Sequence, residues 1–137
     1  MNKVKFDSDS MKLITLFESM TGAKVKDCIA NEKFIFIIEE NEMGKAIGKN
    51  GVNVKRLESK LRRKIKLVEF SNDALQFVRN LIYPIEVLDV KKEEDVITIH
   101  DKDVSTRAML IGRERQNINN LSNIVRRYFD VKEIRVV

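Results

Sequence analysis

The feature that most constrains the fold is an internal repeat, because the chain carries one pattern of residues twice, 64 positions apart. The segment Ile47–Leu57 aligns with Ile111–Leu121, and glycine follows isoleucine in both copies, at Gly48 and Gly112. Similar segments also flank each copy. A chain of 137 residues with one such repeat is expected to fold as two small domains of similar architecture. We place these domains at residues 1–71, the first half, and 72–137, the second half.

The flanking segments predict the same order of elements in each half: helix, strand, strand, helix, glycine turn, helix and strand. Apolar spacing in the first half predicts one helix and three strands, at Ser8–Met20, Val25–Ala30, Phe34–Ile38 and Ile65–Phe70. The corresponding segments of the second half are Asn72–Ile82, Ile85–Val90, Val96–Ile99 and Glu133–Val137, with a turn at Lys91–Asp95. Candidate helix caps are Asp7, Ser8 or Asp9 in the first half and Ser71 or Asn72 in the second.

The segment Gly48–Gly51 of the first half, here the first loop, has the composition of a phosphate-binding turn. Glycine lacks a Cβ, so a ligand backbone can approach closely and a positive φ costs little. Apolar residues at Val54, Leu57 and Leu61 share one face of a helix, which is therefore expected to begin at this turn. A helix N-terminus with free N–H groups and a lysine beside it, here Lys49, favours binding of a phosphate.

Positive charge is concentrated around the first loop. The chain has 26 Lys and Arg against 21 Asp and Glu, a net charge of +5. The first half holds 15 basic and 10 acidic residues, whereas the second half holds 11 of each. Within residues 45–66 nine residues are basic and only Glu58 is acidic. A basic cluster of this kind indicates binding to nucleic acid.

These residues together resemble the KH domain, the RNA-binding module whose GxxG loop clamps the backbone of about four nucleotides. The element order resembles the type II arrangement found in prokaryotes. The resemblance implies an α+β fold of two tandem type II KH domains, each a three-stranded sheet packed against helices. It also implies single-stranded RNA as the partner, and RNA-binding residues in the first half at Lys45, Ile47, Gly48, Lys49, Asn50, Gly51, Val54, Lys55 and Arg56. Ile47, Val52 and Val54 are candidates for the apolar floor under the bases.

The second copy of the loop, Gly112–Arg115, departs from the family pattern. Arg115 replaces the closing glycine, so its side chain is expected to obstruct close approach of a ligand backbone, and Glu114 repels phosphate. Arg113 and Arg115 nevertheless supply positive charge. Two interpretations remain open: the second half contacts RNA through Gly112, Arg113 and Arg115, or it serves as a structural support for the first half.

The paired arrangement and the length of the chain resemble the archaeal NusA-like proteins. That resemblance implies RNA binding in transcription elongation and termination, with RNA polymerase or transcription factors as further partners. An alternative is a KH protein of ribosome assembly or of the ribosome itself, which would bind structured RNA.

Other classes of protein are disfavoured. One cysteine and one histidine allow neither an internal disulfide nor a typical zinc site, and no metal or cofactor is expected. Gly44 and Gly48 are separated by three residues where a P-loop has four, and Asn50 stands where a Mg²⁺-binding Ser or Thr belongs, so we expect no enzyme. The longest aliphatic or aromatic run, Phe34–Ile38, is too short to cross a bilayer. A cytoplasmic protein is therefore expected.

Overall fold

The computed structural model describes residues 8–30 and 32–137, with Ser8 described by its backbone alone. The chain divides into two compact units, with the division between Ser71 and Asn72. Each unit contains one three-stranded sheet together with helices, so the expectation of an α+β fold is confirmed. No helix in the described ranges is long and apolar enough to cross a membrane.

The first half folds as helix α1, strands β1 and β2, helices α2 and α3, and strand β3. Their bounds are Ser8–Thr21, Val25–Ala30, Phe34–Ile38, Met43–Ile47, Val52–Leu61 and Ile65–Glu69, with a 3₁₀ turn at Lys49–Gly51 between α2 and α3. The sheet order is β1-β2-β3. Strand β2 is antiparallel to β1 and parallel to β3, so the chain must cross over between β2 and β3, and α2 and α3 form that crossover.

The second half repeats this topology with helix α4, strands β4 and β5, helices α5 and α6, and strand β6. Their bounds are Ala74–Ile82, Asp89–Glu93, Val96–His100, Val104–Ile111, Gln116–Arg126 and Glu133–Val136, with a 3₁₀ turn at Arg113–Arg115. Strand β5 is central, antiparallel to β4 and parallel to β6. The sequence repeat therefore corresponds to a structural repeat.

The core of the first half holds α3 against its sheet. Phe17 from α1 and Phe36 from β2 are fully buried, and their ring centroids lie 4.5 Å apart. Leu57 of α3 belongs to the same buried cluster. Burial of such side chains stabilises the fold by about 1.5–3 kcal/mol each, so this cluster fixes where α3 and the loop before it lie.

The core of the second half is built around Phe77 of α4. Its ring meets Tyr128 edge-on at a centroid distance of 5.6 Å and Phe129 at 5.8 Å. Ile118 and Val125 bury the apolar face of α6 in the same half. Thus α6 is anchored by its own apolar face, as α3 is in the first half.

Three predictions for the second half were wrong. The strand expected at Ile85–Val90 begins only at Asp89. The segment read as a turn, Lys91–Asp95, is mostly strand, because Lys91, Lys92 and Glu93 pair with β5 and only the last two residues turn the chain. An edge strand with exposed charged side chains lacks the alternation by which strands are recognised. Helix α4 begins at Ala74 rather than Asn72, because the cap is Asp73, whose carboxylate accepts a hydrogen bond from the Leu75 amide at 3.0 Å. Of the caps expected for α1, Asp7 and the side chain of Ser8 lie outside the described residues.

Candidate nucleic-acid interface

The first loop connects α2 to α3 with an unusual run of backbone conformations. Gly48 has φ 75° and ψ 172°, Asn50 has φ 56° and Gly51 has φ 73°. Three of the four loop residues therefore have positive φ, a region that costs a residue with a side chain roughly 1–2 kcal/mol. Glycine at two of these positions avoids that cost, and asparagine is among the residues that tolerate it best.

Gly48 is required for close packing as well as for its dihedral angles. A Cβ built on Gly48 would lie 2.8 Å from the side-chain amide of Asn53, in the first turn of α3. That amide donates a hydrogen bond to the backbone carbonyl of Lys45 at 2.8 Å, and so ties the start of α3 to α2. The bare backbone of Gly48 thus leaves room for the side chain that holds the two helices at this angle.

We expect Gly48→Ala to lower the free energy of unfolding of the first half by about 1–3 kcal/mol, from backbone strain and loss of the Asn53 hydrogen bond. Urea denaturation of the single and double variants with Asn53→Ala measures this. The cost of Gly48→Ala should be smaller in the Asn53→Ala background, since the atoms nearest to the new methyl group are then gone. Strictly additive costs would contradict this explanation of the glycine.

The second loop has nearly the same backbone as the first. Gly112 has φ 75° and ψ 172°, Glu114 has φ 54°, and Arg115 has φ 61° and ψ 21°, close to the values of Gly51. Asn117 donates to the carbonyl of Met109 at 2.8 Å, the counterpart of the Asn53 bond. Arg115 therefore adopts the conformation for which glycine was expected, and a Cβ built on Gly51 meets no atom within 4 Å. The fold itself therefore tolerates a side chain at the position of Gly51.

The helices that follow the two loops differ from α4 and α5 at their N-termini. Helices α4 and α5 are capped by aspartates, Asp73 on the Leu75 amide and Asp103 on the Thr106 amide at 3.1 Å. Hydrogen bonds from Thr106 lower the pKa of the Asp103 carboxyl, so this cap is anionic at neutral pH. Helices α3 and α6 have no side-chain cap. The Gly51 and Val52 amides donate to the carbonyls of Gly48 and Lys49, and the Arg115 and Gln116 amides donate likewise to Gly112 and Arg113. The amides that follow in the first turn of each helix have no side-chain cap, which leaves them to a ligand or to water.

The predicted basic residues of the first half differ in whether an acid neutralises their charge. Lys49, Lys55 and Arg56 are exposed. Lys45 is also exposed, but its ammonium lies 3.4 Å from the Glu42 carboxylate. The pKa of Glu42 is lowered, chiefly by a hydrogen bond from the Lys24 amide, so this carboxylate is charged and offsets part of the charge of Lys45.

Other charged groups of residues 45–66 have structural roles. Glu58 accepts a hydrogen bond from the Ile65 amide at 3.0 Å, so the one acid of the cluster fastens α3 to β3. Arg63 donates to the Glu32 carbonyl, and its guanidinium lies 4.3 Å from the centre of the Phe34 ring. Burial lowers the pKa of Lys66 on β3. The exposed positive charge is thus concentrated on the loop and on the outer face of α3.

Apolar side chains border the first loop on both sides. Ile47 is 39% exposed and Val52 is 38% exposed. Val54, by contrast, is half-buried. In the second half Gln116 stands in place of Val52. The predicted apolar floor is therefore represented at the surface by Ile47 and Val52, and this exposed pair is specific to the first half.

The second half has a polar groove between α6 and β6. Its volume is about 300 Å³, and its lining residues are Arg115, Asn119, Ser122, Asn123, Arg126, Glu133 and Ile134. Arg113 is exposed in the loop beside it. A hydrogen bond from Arg135 at 3.1 Å lowers the pKa of Glu133, and Arg115 adds to the effect. Arg126 also donates to the carbonyls of Val131 and Lys132, so it fixes the turn before β6.

Sequence reasoning missed Asn53 and Asn117, the residues that shape both loops. The signal was present, because the two asparagines stand 64 positions apart in the aligned motifs.

In the described ranges, no group of three or more His, Cys, Asp or Glu side chains has the arrangement of a metal site.

The fold and the two glycine loops define the class as a KH domain protein, and the model of the KH domain family matches residues 13–94. A protein of Methanococcus vannielii named probable transcription termination protein NusA is 38% identical over 139 residues, with 98% of this chain and 80% of that protein covered. Proteins of the same name from Methanocaldococcus jannaschii and Halococcus morrhuae are 31% and 30% identical, with 100% and 98% of this chain and 77% and 99% of their own lengths covered. The chain therefore belongs to the archaeal NusA-like family of KH domain proteins.

The prediction of an RNA-binding, NusA-like protein is confirmed by these matches. Among solved structures, the crystal structure of APE1850 superimposes with a TM-score of 0.75. It covers 96% of this chain and 100% of its own, at 24% identity, and so supports the fold alone.

Proposed function

We propose that the chain is a pair of tandem type II KH domains, residues 1–71 and 72–137, and that the first loop clamps single-stranded RNA. The observation that carries the proposal is the uncapped start of α3 behind a glycine loop with positive φ. Backbone N–H groups at this helix terminus bind phosphate oxygens, and Lys49 adds a charge. Lys55 and Arg56 extend the positive surface along α3.

In this proposal, different groups bind the phosphates and the bases of the RNA. Phosphate contacts at Gly48–Gly51 fix the position of the strand without reading its sequence. Bases that leave the stack can lie against the exposed Ile47 and Val52, with polar groups reading their edges. Asn50 is exposed in the loop and has a left-handed backbone conformation, and its side-chain amide is proposed to contact the ligand.

For the second half, we propose RNA contact through side chains. Arg113 and Arg115 replace bare backbone as phosphate ligands, because guanidinium groups bind phosphate with two parallel hydrogen bonds. Gly112 keeps the loop in the same conformation as in the first half. The groove between α6 and β6 presents the amides of Asn119 and Asn123 one helical turn apart, which suits hydrogen bonding to base edges.

In the cell, we propose that this binding serves transcription termination, as the name of the relatives suggests, and with it elongation. RNA polymerase or a transcription factor is the proposed protein partner, and the cytoplasm the proposed location. We propose no catalytic role and no cofactor. A ribosomal role would require a preference for folded RNA, which the binding experiment below distinguishes.

The test is a salt titration of binding to single-stranded RNA, with duplex RNA, a folded hairpin and single-stranded DNA as comparison ligands. Single-stranded RNA should bind most tightly, with log Kd rising linearly with log salt. Lys49→Ala should lower the slope by about 0.7, the value for one lost phosphate contact on a single strand. Lys102→Ala is the matched control, because Lys102 lies between Asp101 and Asp103, away from both loops in sequence.

Equal binding to all four nucleic acids, with the same slope for both variants, would indicate a generic basic surface and contradict the clamp. Tighter binding to the hairpin than to the open strand would favour the ribosomal alternative.

A further inference from the structure

A second surface of the first half lies beside the loop, between α3 and the C-terminal end of α1. It is a shallow depression of about 580 Å³ lined by Met20, Val52, Lys55, Arg56, Ser59 and Lys60. Three of these six residues are basic and none is acidic. Val52 and Lys55 directly follow the first loop, so this depression, here the α1–α3 surface, is continuous with the proposed clamp.

The side chains of the α1–α3 surface form a row along α3. Val52, Arg56 and Lys60 are spaced by four residues, so they lie one above the other on one face of the helix. At a rise of 1.5 Å per residue, this row runs about 12 Å away from the loop. Val52 and Met20 supply an apolar floor, and Met is well suited to contact an aromatic base because its thioether is soft and polarizable. The row therefore places an apolar side chain next to the loop and two basic side chains beyond it.

Acidic groups of the two helices are engaged away from this surface. Glu58 of α3 accepts from the Ile65 amide at 3.0 Å, and Glu18 of α1 accepts from the Val25 amide at 3.0 Å. Neither carboxylate lines the depression. The positive charge of Arg56 and Lys60 is therefore not offset by an acid within the surface itself.

The second half provides an internal comparison. The residues of α6 at the equivalent positions are Gln116, Asn119, Asn120, Asn123 and Ile124, so no basic residue occurs among them. The two helices follow loops of the same backbone geometry and pack on sheets of the same topology. The fold consequently does not need cations on this face, so those on α3 are available to an external partner.

We propose that the α1–α3 surface binds the RNA nucleotides that extend beyond those held by the first loop. Lys60 binds a phosphate beyond the clamp, Arg56 lies between the clamp and this surface, and one base lies against Met20, next to the Val52 side chain used by the clamp. The inference rests on the proposed clamp and extends its binding site by one to two turns of α3. A single strand suits this surface better than an acidic amphipathic helix, because a helix needs a longer apolar stripe than two side chains provide.

The experiment compares RNA oligomers of increasing length against wild type, Lys60→Glu and Lys60→Gln. A four-nucleotide RNA reports on the loop alone, and eight-nucleotide RNAs extended at either end add the new surface. We expect the wild type to gain affinity with one of the two extensions, and Lys60→Glu to lose at least about threefold of that gain. Four-nucleotide binding should stay within about twofold, since Lys60 lies about two and a half turns of helix from the loop's closing residue.

Lys102→Glu is the control for net charge and should keep the full gain on extension. An abasic residue at the extended position should reduce the gain in wild type, as expected for a base that lies on Met20. Equal gains for wild type and Lys60→Glu would overturn the inference. Weaker binding of polyglutamate by Lys60→Glu, with an unchanged RNA series, would assign the surface to an acidic protein instead. If wild type failed to bind the four-nucleotide RNA, the proposed clamp itself would fail.

Discussion

Gly51→Asp is expected to raise the Kd for single-stranded RNA by at least about tenfold while leaving the protein folded. The substitution places a carboxylate where a phosphate is proposed to bind, and two like charges about 4 Å apart repel by roughly 1 kcal/mol in water and about 4 kcal/mol near a protein surface. A Cβ at this position meets no neighbouring atom, so the cost to the fold is confined to the positive φ. Fluorescence anisotropy with a labelled oligomer measures the affinity, and circular dichroism checks the fold.

Gly51→Arg separates charge from bulk in this experiment. It introduces the residue that the second loop carries at the same backbone conformation, so the protein already shows that an arginine fits there. If charge dominates, the arginine variant should bind at least about tenfold more tightly than the aspartate variant. Equal losses in both variants would assign the effect to bulk. A folded Gly51→Asp protein with wild-type affinity would refute the clamp.

Leu57→Ala is expected to lower the free energy of unfolding by about 2–5 kcal/mol, the range for a fully buried leucine whose cavity cannot collapse. Leu57 is completely buried in the cluster around Phe17 and Phe36, and it is the fully buried anchor of α3. Domains of this size are stable by about 5–15 kcal/mol in all, so the loss is a large part of the total. RNA affinity should fall with it, because α3 carries the phosphate-binding terminus.

Urea denaturation measures this loss of stability, and native-state hydrogen exchange shows in which half it occurs. Leu57→Met is the conservative control and should cost less than about 1.5 kcal/mol. Leu121→Ala is the repeat-related control, and it should expose amides of the second half. A change of less than about 0.5 kcal/mol for Leu57→Ala, the size typical of surface substitutions, would contradict the role given to this side chain.

The sequence predicted those elements whose local pattern agrees with their burial. Strands β1 and β2 begin and end where they were expected, because Phe34–Ile38 is apolar throughout and a polar turn precedes it. Strand β4 was predicted too early in the chain, because its charged residues Lys91–Glu93 form an exposed edge. Its pairing is a long-range effect of β5, which a local pattern does not contain.

The sequence predicted where the candidate site lies, from its glycines, but not the contacts between distant residues that shape it. The sequence pattern indicated the first loop and the helix after it. It did not indicate that Arg115 would hold a left-handed conformation, because local preference disfavours that conformation and the packing of α5 against α6 imposes it. Nor did charge counting show that Glu58 and Arg63 serve the fold, since their partners are backbone groups distant in sequence.

The most direct test of the clamp is an NMR titration of the ¹⁵N-labelled protein with an eight-nucleotide single-stranded RNA. We expect the largest shifts of backbone amides at Gly48–Asn53, in the first loop and at the start of α3, and we expect these shifts to be lost on adding salt. Large shifts elsewhere, with the amides of Gly48–Asn53 unmoved at saturating RNA, would contradict it.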